Sequence, residues 1–257
     1  MGASGAGKTT LLNALALRGI GDTSGVVRLD NKPITKAAVR RYVGYVHQED
    51  QHFAELTVKE TLRFLCELIM VKATPEEREC RVTDTLSVLG LTRVADKPVG
   101  HSSGVAGQRR GISGGERKRL SIGGALVTDP GLLFMDEFTS GLDSQSAVET
   151  TQMLKQLSDR GRTVICTIHQ PSTELFMQFD TLCLLADGRI VYFGPVASVA
   201  DHFASIGYPC PAYYNPAEHV IACVHVSGHL ADGESQLSVS HVDEIEASRG
   251  KPFCMWQ

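Results

Sequence analysis

The amino-acid sequence predicts an α/β fold in which a mainly parallel sheet core carries a helical lobe, and three observations lead there. Gly2-Ala3-Ser4-Gly5-Ala6-Gly7-Lys8-Thr9-Thr10 fits G-x-x-x-x-G-K-[ST], a loop whose backbone amides wrap phosphates where a strand gives way to a helix. Gly131 to Met135 and Thr163 to Ile168 are short apolar runs that end in Asp136 and His169, the pattern of buried parallel strands. Between them Ser144 to Arg160 reads as a helix closed by Gly161, so strand, helix and strand follow one another.

The remaining elements follow from local signals. Thr9 to Arg18 places Leu11, Leu12, Leu15 and Ala16 on one face, so a helix leaves the glycine loop; on the other side only Met1 precedes the loop, where a buried strand is expected. Gly25 to Leu29 and Tyr42 to Val46 read as short strands. Thr57-x-x-Glu60 is a capping box opening an apolar helix to about Val71. Thr74-Pro75-Glu76-Glu77 repeats the device and adds proline at the first helical position, with Gly90 as the stop. Residues 57–127 thus form the helical lobe. Thr181 to Ala186, Asp187-Gly188 and Arg189 to Phe193 make a hairpin with a favoured turn pair. Residues 1–224 read as one domain. The segment 225–257 is rich in Ser, Gly, His and acids without periodicity, and is expected to be a poorly ordered polar tail.

Composition narrows the function. The 257 residues can bury a full core, and a net charge of -4 supplies no basic field for nucleic acid or an anionic membrane. The stretch Arg117-Lys118-Arg119 is locally basic, and its plain reading is a solvated helix face. Seven cysteines form an odd set without a C-x-x-C pair, which suits reduced thiols. His219, His225, His229 and His241 are spaced irregularly, so structural or surface roles are expected for them rather than metal ligation. No run reaches the ~18–20 apolar residues of a membrane span.

The chemistry sits in a few positions. Lys8 can reach the β- and γ-phosphates of a nucleoside triphosphate and the Thr9 hydroxyl can ligate Mg2+. The run Leu133-Phe134-Met135-Asp136-Glu137 would deliver Asp136 to the metal shell and Glu137 to a water in line with the γ-phosphate. Alone, two acids at a strand end are often surface residues; the glycine loop gives them weight. Gln48, just past a strand, suits contact with both metal and water, and His169 could donate to a γ-phosphate oxygen. Ser113-Gly114-Gly115-Glu116 opens a second helix with amides able to face a phosphate. One nucleotide needs one glycine loop, so this second cradle is expected to serve a nucleotide held by another subunit.

In order along the chain, the glycine loop, Gln48, Ser113 to Glu116, Asp136-Glu137, Ser140 to Asp143 and His169 resemble the nucleotide-binding domain of ATP-binding-cassette proteins, a P-loop NTPase fold. Ile112 to Gly123, Thr139 to Ser144, Ile168 to Ser172, Tyr192-Phe193-Gly194-Pro195 and Asn215-Pro216-Ala217-Glu218 are similar to its G (White) subfamily of exporters, over about Met1 to Val224. The resemblance implies that ATP, with Mg2+ on Thr9, Gln48 and Asp136, is sandwiched between residues 2–10 of one domain and Ser113 to Glu116 of a second, homo- or heterodimeric one. Asp143 would join that interface, Glu137 would be the catalytic base and His169 would hold the γ-phosphate. It also implies work at the cytoplasmic face of a membrane through the transmembrane domain of a half-transporter, moving lipid-like or other hydrophobic substrates, with no nucleic-acid partner.

Several departures accompany the resemblance. Ala3 and Phe138 stand where the family usually has proline, and His101 to Gln108 looks like a small insertion. The family's N-terminal strands and its transmembrane helices after the Asn215 motif are not found in the sequence, so the expectation is an N-terminally incomplete domain. A catalytically idle fragment that pairs with and regulates a half-transporter, or a soluble cassette ATPase, are the alternatives. GTPase chemistry is disfavoured, because Asn31-Lys32-Pro33-Ile34 lacks the acid that reads guanine. Cys254-Met255-Trp256-Gln257 formally fits a prenylation signal, with chance the plainer account.

Overall fold

Two stretches remote in sequence, Met1–Ile34 and Thr167–Gln257, make one unit, and the intervening Thr35–Cys166 makes a second. The computed structural model describes residues 1–19, 24–29, 31–101 and 111–229. Helix α1 (Lys8–Leu15) leaves the glycine loop and ends three residues earlier than the apolar spacing predicts. The cause is a Schellman-type close: Leu17 takes φ 51, its amide bonds Ala14 O, and the Arg18 amide bonds Asn13 O. A leucine in the position usually given to glycine hides that stop from sequence reading. The expected strand from Gly25 shrinks to β1 (Arg28–Leu29), paired antiparallel with β2 (Lys32–Pro33) across a turn in which Asn31 has φ 59.

The second unit begins with α2 (Lys36–Tyr42), capped by Thr35 Oγ1, which accepts from the Ala38 amide at 3.2 Å. It buries no residue, so no apolar stripe announced it. Strand β3 (Val43–Val46) follows, then α3 (Val58–Ile69) and α4 (Pro75–Val88), both opened by complete capping boxes at Thr57 and Thr74. Gly90, at φ 64, closes α4 as expected. Helix α5 (Gly114–Leu126), β4 (Leu132–Met135), α6 (Ser144–Asp159) and β5 (Thr163–Cys166) complete the unit. Strands β3, β4 and β5 form a parallel sheet with β4 in the middle, in register at Val46, Met135 and Cys166. All four β4 side chains are buried, as a central parallel strand requires. Helix α5 presses closely on the lobe because Gly123 has no side chain: a Cβ there would lie 2.6 Å from Leu89 and 3.1 Å from Leu62.

In the first unit the chain resumes with α7 (Thr173–Phe176), β6 (Thr181–Ala186), β7 (Arg189–Pro195), α8 (Val199–Ser205) and α9 (Pro216–His229). The β6–β7 hairpin turns at Asp187 and Gly188, both left-handed at φ 47 and 75, which is the predicted turn pair. Sequence reading missed the three helices. Their apolar residues Phe176, Val199, Phe203, Val220 and Ile221 join Leu182, Leu184 and Tyr192 in a core that exists only once the hairpin is in place. Asn215 and Pro216 were a readable start for α9: Asn215 Oδ1 accepts from the Ala217 amide at 3.0 Å and Pro216 is the first helical residue.

Among the described residues no helix is long and apolar enough to cross a membrane. The expected polar tail from residue 225 begins instead as the last five residues of α9, to His229; its remainder, with Cys254, and residues 102–108 of the expected insertion lie outside the described residues.

Candidate nucleotide-binding site

The first unit builds the glycine loop onto its hairpin. Met1 and Gly2 run parallel to β6, with the Leu185 amide donating to Met1 O at 2.9 Å and the Met1 amino group donating to Cys183 O at 2.7 Å. The loop therefore does leave a parallel β-pairing, although the sequence showed no strand ahead of it. Only glycine fits at position 2, since a Cβ there would stand 2.3 Å from Leu185 O. The Gly188 amide bonds Ala6 O at 3.2 Å, tying the far side of the loop to the hairpin turn. Gly7 then opens α1 in the left-handed region, φ 92, with no side chain capping the helix.

Lys8 is 6% exposed, and its ammonium spans the loop to Gly2 O at 3.0 Å and Ala3 O at 2.8 Å. Ser4 and Gly5 form the exposed tip, and Thr9 and Thr10 lie exposed in the first turn of α1. This is a cradle of backbone amides with one cation above it, which suits a triphosphate. A cavity of about 200 Å³ adjoins the loop, lined by Gly2, Ala3, Ser4 and Ala6 together with Leu185 and Val224 among others. In the same unit His169 is exposed beyond buried Ile168, and Gln170 after it has φ 46. Asn215 Nδ2 donates to Pro171 O at 2.9 Å, so the Asn215 turn steadies the segment that carries His169.

The second unit holds the acids and the second cradle. Asp136 is buried at the end of β4, and its amide donates to Val46 O at 3.0 Å, extending the ladder by one residue. Glu137 takes φ 43, a left-handed conformation that a non-glycine residue keeps only when its surroundings impose it. Gln48 Nε2 donates to Glu137 Oε2 at 2.8 Å, so two residues 89 positions apart meet. Ser113 Oγ accepts from the Glu116 amide at 3.2 Å, and Glu116 Oε2 accepts from the Ser113 amide at 2.7 Å. Gly114 and Gly115 complete that first turn of α5.

The next loop packs directly on this turn. A Cβ on Gly115 would lie 2.7 Å from Ser146 Oγ, and Asp143 caps α6 by accepting from the Ser146 amide at 2.9 Å. That amide bond, with a second from the Ser146 hydroxyl, holds the Asp143 carboxyl below the usual carboxylate range.

Sequence reasoning missed the support under Gln48. Lys118 and Arg117, read as a solvated helix face, are buried at 1% and 8% exposure, and only Arg119 of the three is partly exposed. Arg117 donates to Gly100 O at 2.7 Å and Val99 O at 3.2 Å; Lys118 donates to Gln48 O at 2.8 Å and pairs with Asp50 Oδ1 at 2.8 Å. Charge alone misled the reading, because the burial of a helix face depends on what packs over it.

The residues fit Mg-ATP chemistry. Thr9, Gln48 and Asp136 offer a hydroxyl, an amide oxygen and a carboxylate, hard oxygen donors of the kind Mg2+ takes. Among the described residues no group of three His, Cys, Asp or Glu side chains could hold a metal by itself. The sequence profile described as ABC transporter matches residues 1–140. The chain belongs to the ABC transporter family. A second profile of this family, described as ABC-2 type transporter, matches residues 169–239. The chain is 43% identical over 262 residues to the broad substrate specificity ATP-binding cassette transporter ABCG2 of Rattus norvegicus, covering 98% of this chain and 38% of that protein. It is 41% identical over 249 residues to the ABC transporter ATP-binding protein/permease wht-1 of Caenorhabditis elegans (95% and 36%). Identity to Protein white of Drosophila melanogaster is 43% over 231 residues (88% and 33%). Within the ABC family its relatives are of the G, or White, type, and the chain spans about a third of the length of the curated relatives it matches.

Proposed function

We propose that this chain is the ATP-binding and ATP-hydrolysing domain of a G-type exporter, working as one of two nucleotide-binding domains at the cytoplasmic face of a membrane. The observation that carries the reading is the pairing of Gln48 with Glu137 at 2.8 Å, at the end of the strand that delivers Asp136. It holds the acid suited to activate water beside the amide suited to touch metal and water. Residues 2–10 would hold the triphosphate, with Lys8 on its β- and γ-phosphates and Thr9, Gln48 and Asp136 on Mg2+. Glu137 would take the proton of the attacking water, and His169 would donate to a γ-phosphate oxygen. The bound nucleotide supplies the phosphoryl group and its free energy of transfer to water.

Ser113 to Glu116 would cap a nucleotide held by the other domain, so ATP favours the closed pair and hydrolysis releases it. Support for a membrane-domain partner comes from the helical lobe. Phe64, Leu68, Ile69 and Val71 are exposed there, and Phe53, also exposed just before the lobe, meets Phe64 edge to face at 5.9 Å. Hydrophobic or lipid-like substrates are the cargo this reading assigns to the exporter.

The test is ATP turnover by the assembled transporter. Glu137→Gln should lower kcat at least ~100-fold while ATP binding persists. Turnover that survives this substitution would sink the assignment of Glu137.

A further inference from the structure

Among the large side chains buried to less than 2% exposure in the described residues stands one that is not apolar, Lys118. Its ammonium has two partners, Gln48 O and Asp50 Oδ1, each at 2.8 Å. The Asp50 side chain is itself 16% exposed, and its Oδ1 also accepts from Ser121 Oγ at 2.7 Å. That hydroxyl proton is then committed to Asp50, so His52 Nε2, 2.8 Å from Ser121 Oγ, is the donor in its own bond. Lys118 and Ser121 both lie on α5, three residues apart and so on one face, while Gln48, Asp50 and His52 line the loop after β3.

A buried ion pair is a poor device for stability alone, since well-packed apolar residues of similar volume serve as well or better. What the pair does achieve is geometric. The Lys118 bond fixes the peptide plane at Gln48, and from that same residue the side chain reaches Glu137 at 2.8 Å. Gln48 is thus held from two sides, by its backbone from α5 and by its amide from Glu137. Helix α5 is also the helix whose first turn is Ser113 to Glu116.

We propose that Lys118 and Asp50 are a positioning pair that locks the Gln48 loop to the helix bearing the Ser113–Glu116 turn. Through it, seating of that turn on the neighbouring domain's nucleotide sets Gln48 for hydrolysis of the chain's own. This rests on the ATPase reading above and adds the connection between the two pockets. Without the pair the glycine loop, which lies in the other unit, keeps its own contacts, so ATP affinity is retained while the rate and its cooperativity fall.

The experiment measures ATP turnover and thermal stability of the assembled transporter for wild type, Asp50→Asn, Lys118→Met and the double variant. Single variants that leave a buried charge or acceptor unmatched lose stability, and the double variant regains it. All three should show kcat lowered roughly ten- to hundred-fold, because a small misplacement of a positioning group costs that much. KM for ATP should stay within about twofold and the Hill coefficient should fall toward one. A double variant that recovers kcat and cooperativity along with stability would overturn the pair's role and leave the ATPase reading standing. Absence of turnover in the wild-type assembly would overturn the ATPase reading and the pair's role with it.

Discussion

The two helices whose openings are suited to phosphate are built in opposite ways. Helix α1 starts from Gly7 in the left-handed region, without a capping side chain, and the loop before it is braced by the β6–β7 hairpin. Helix α5 starts from Ser113 with a complete capping box, the same device that opens α3 and α4. A helix start that carries its own cap is finished without a ligand, and its serine hydroxyl can still donate outward. One that relies on a surrounding loop presents its amides to whatever that loop encloses. In the proposed function the first unit would supply the grip and the second the cap. The difference also explains why a tight backbone contact matters at Gly2 while a side-chain exchange defines Ser113.

The comparison can be broken at its stronger end first. Gly2→Ala should force the loop off Leu185 O, destabilising the domain by ~1–3 kcal/mol in a thermal melt. ATP binding should weaken about tenfold or more, each tenfold being about 1.4 kcal/mol. Unchanged nucleotide titration in this variant would mean that the loop is not the grip.

A matched pair of substitutions sharpens the other end. Ser113→Ala and Thr57→Ala each remove one capping box and should each cost ~1 kcal/mol of stability. Only Ser113→Ala should reduce ATP-dependent self-association when both are made in a Glu137→Gln background and followed by sedimentation. Equal loss of association in the two variants would make Ser113 an ordinary cap.

The smallest expected effect is a pH dependence under Gln48. Burial lowers the His52 imidazole below its ordinary 6.5, outweighing the attraction of Asp50. The unfolded chain therefore takes up the proton first. Stability from neutral His52 is fully present above that ordinary value and declines as pH falls below it toward the lowered folded value. Melting temperature followed from pH 7.5 downward should show this decline, and His52→Gln should flatten it.

Much of the first unit's loop and the second unit's helices was legible because their signals are short. Thr57 with Glu60 and Thr74 with Glu77 announce their helices within four residues, and both caps formed as read; Ser113 and Glu116 use the same device, which was read only as an opening with amides free for a phosphate. Asp187-Gly188 announced its turn in two. Helices α7 and α8, and α9 beyond its Asn215-Pro216 start, were not legible, since their few apolar residues acquire meaning only against Leu182, Leu184 and Tyr192. The end of α1 was hidden by a leucine where glycine is usual. The basic run at Arg117 to Arg119 was misread because charge predicts solvent exposure only when nothing packs above it.

By itself the sequence determined the cradle, the caps and the order of the chemical groups, since each depends on hydrogen bonds that close within a few residues. Only the tertiary structure decided that Gln48 meets Glu137, that β4 runs between β3 and β5, and that Lys118 is buried beneath the Gln48 loop. Those outcomes join residues some 30 to 90 positions apart. Which partner a buried polar group finds at that range is fixed by packing of the whole unit, which no local pattern encodes.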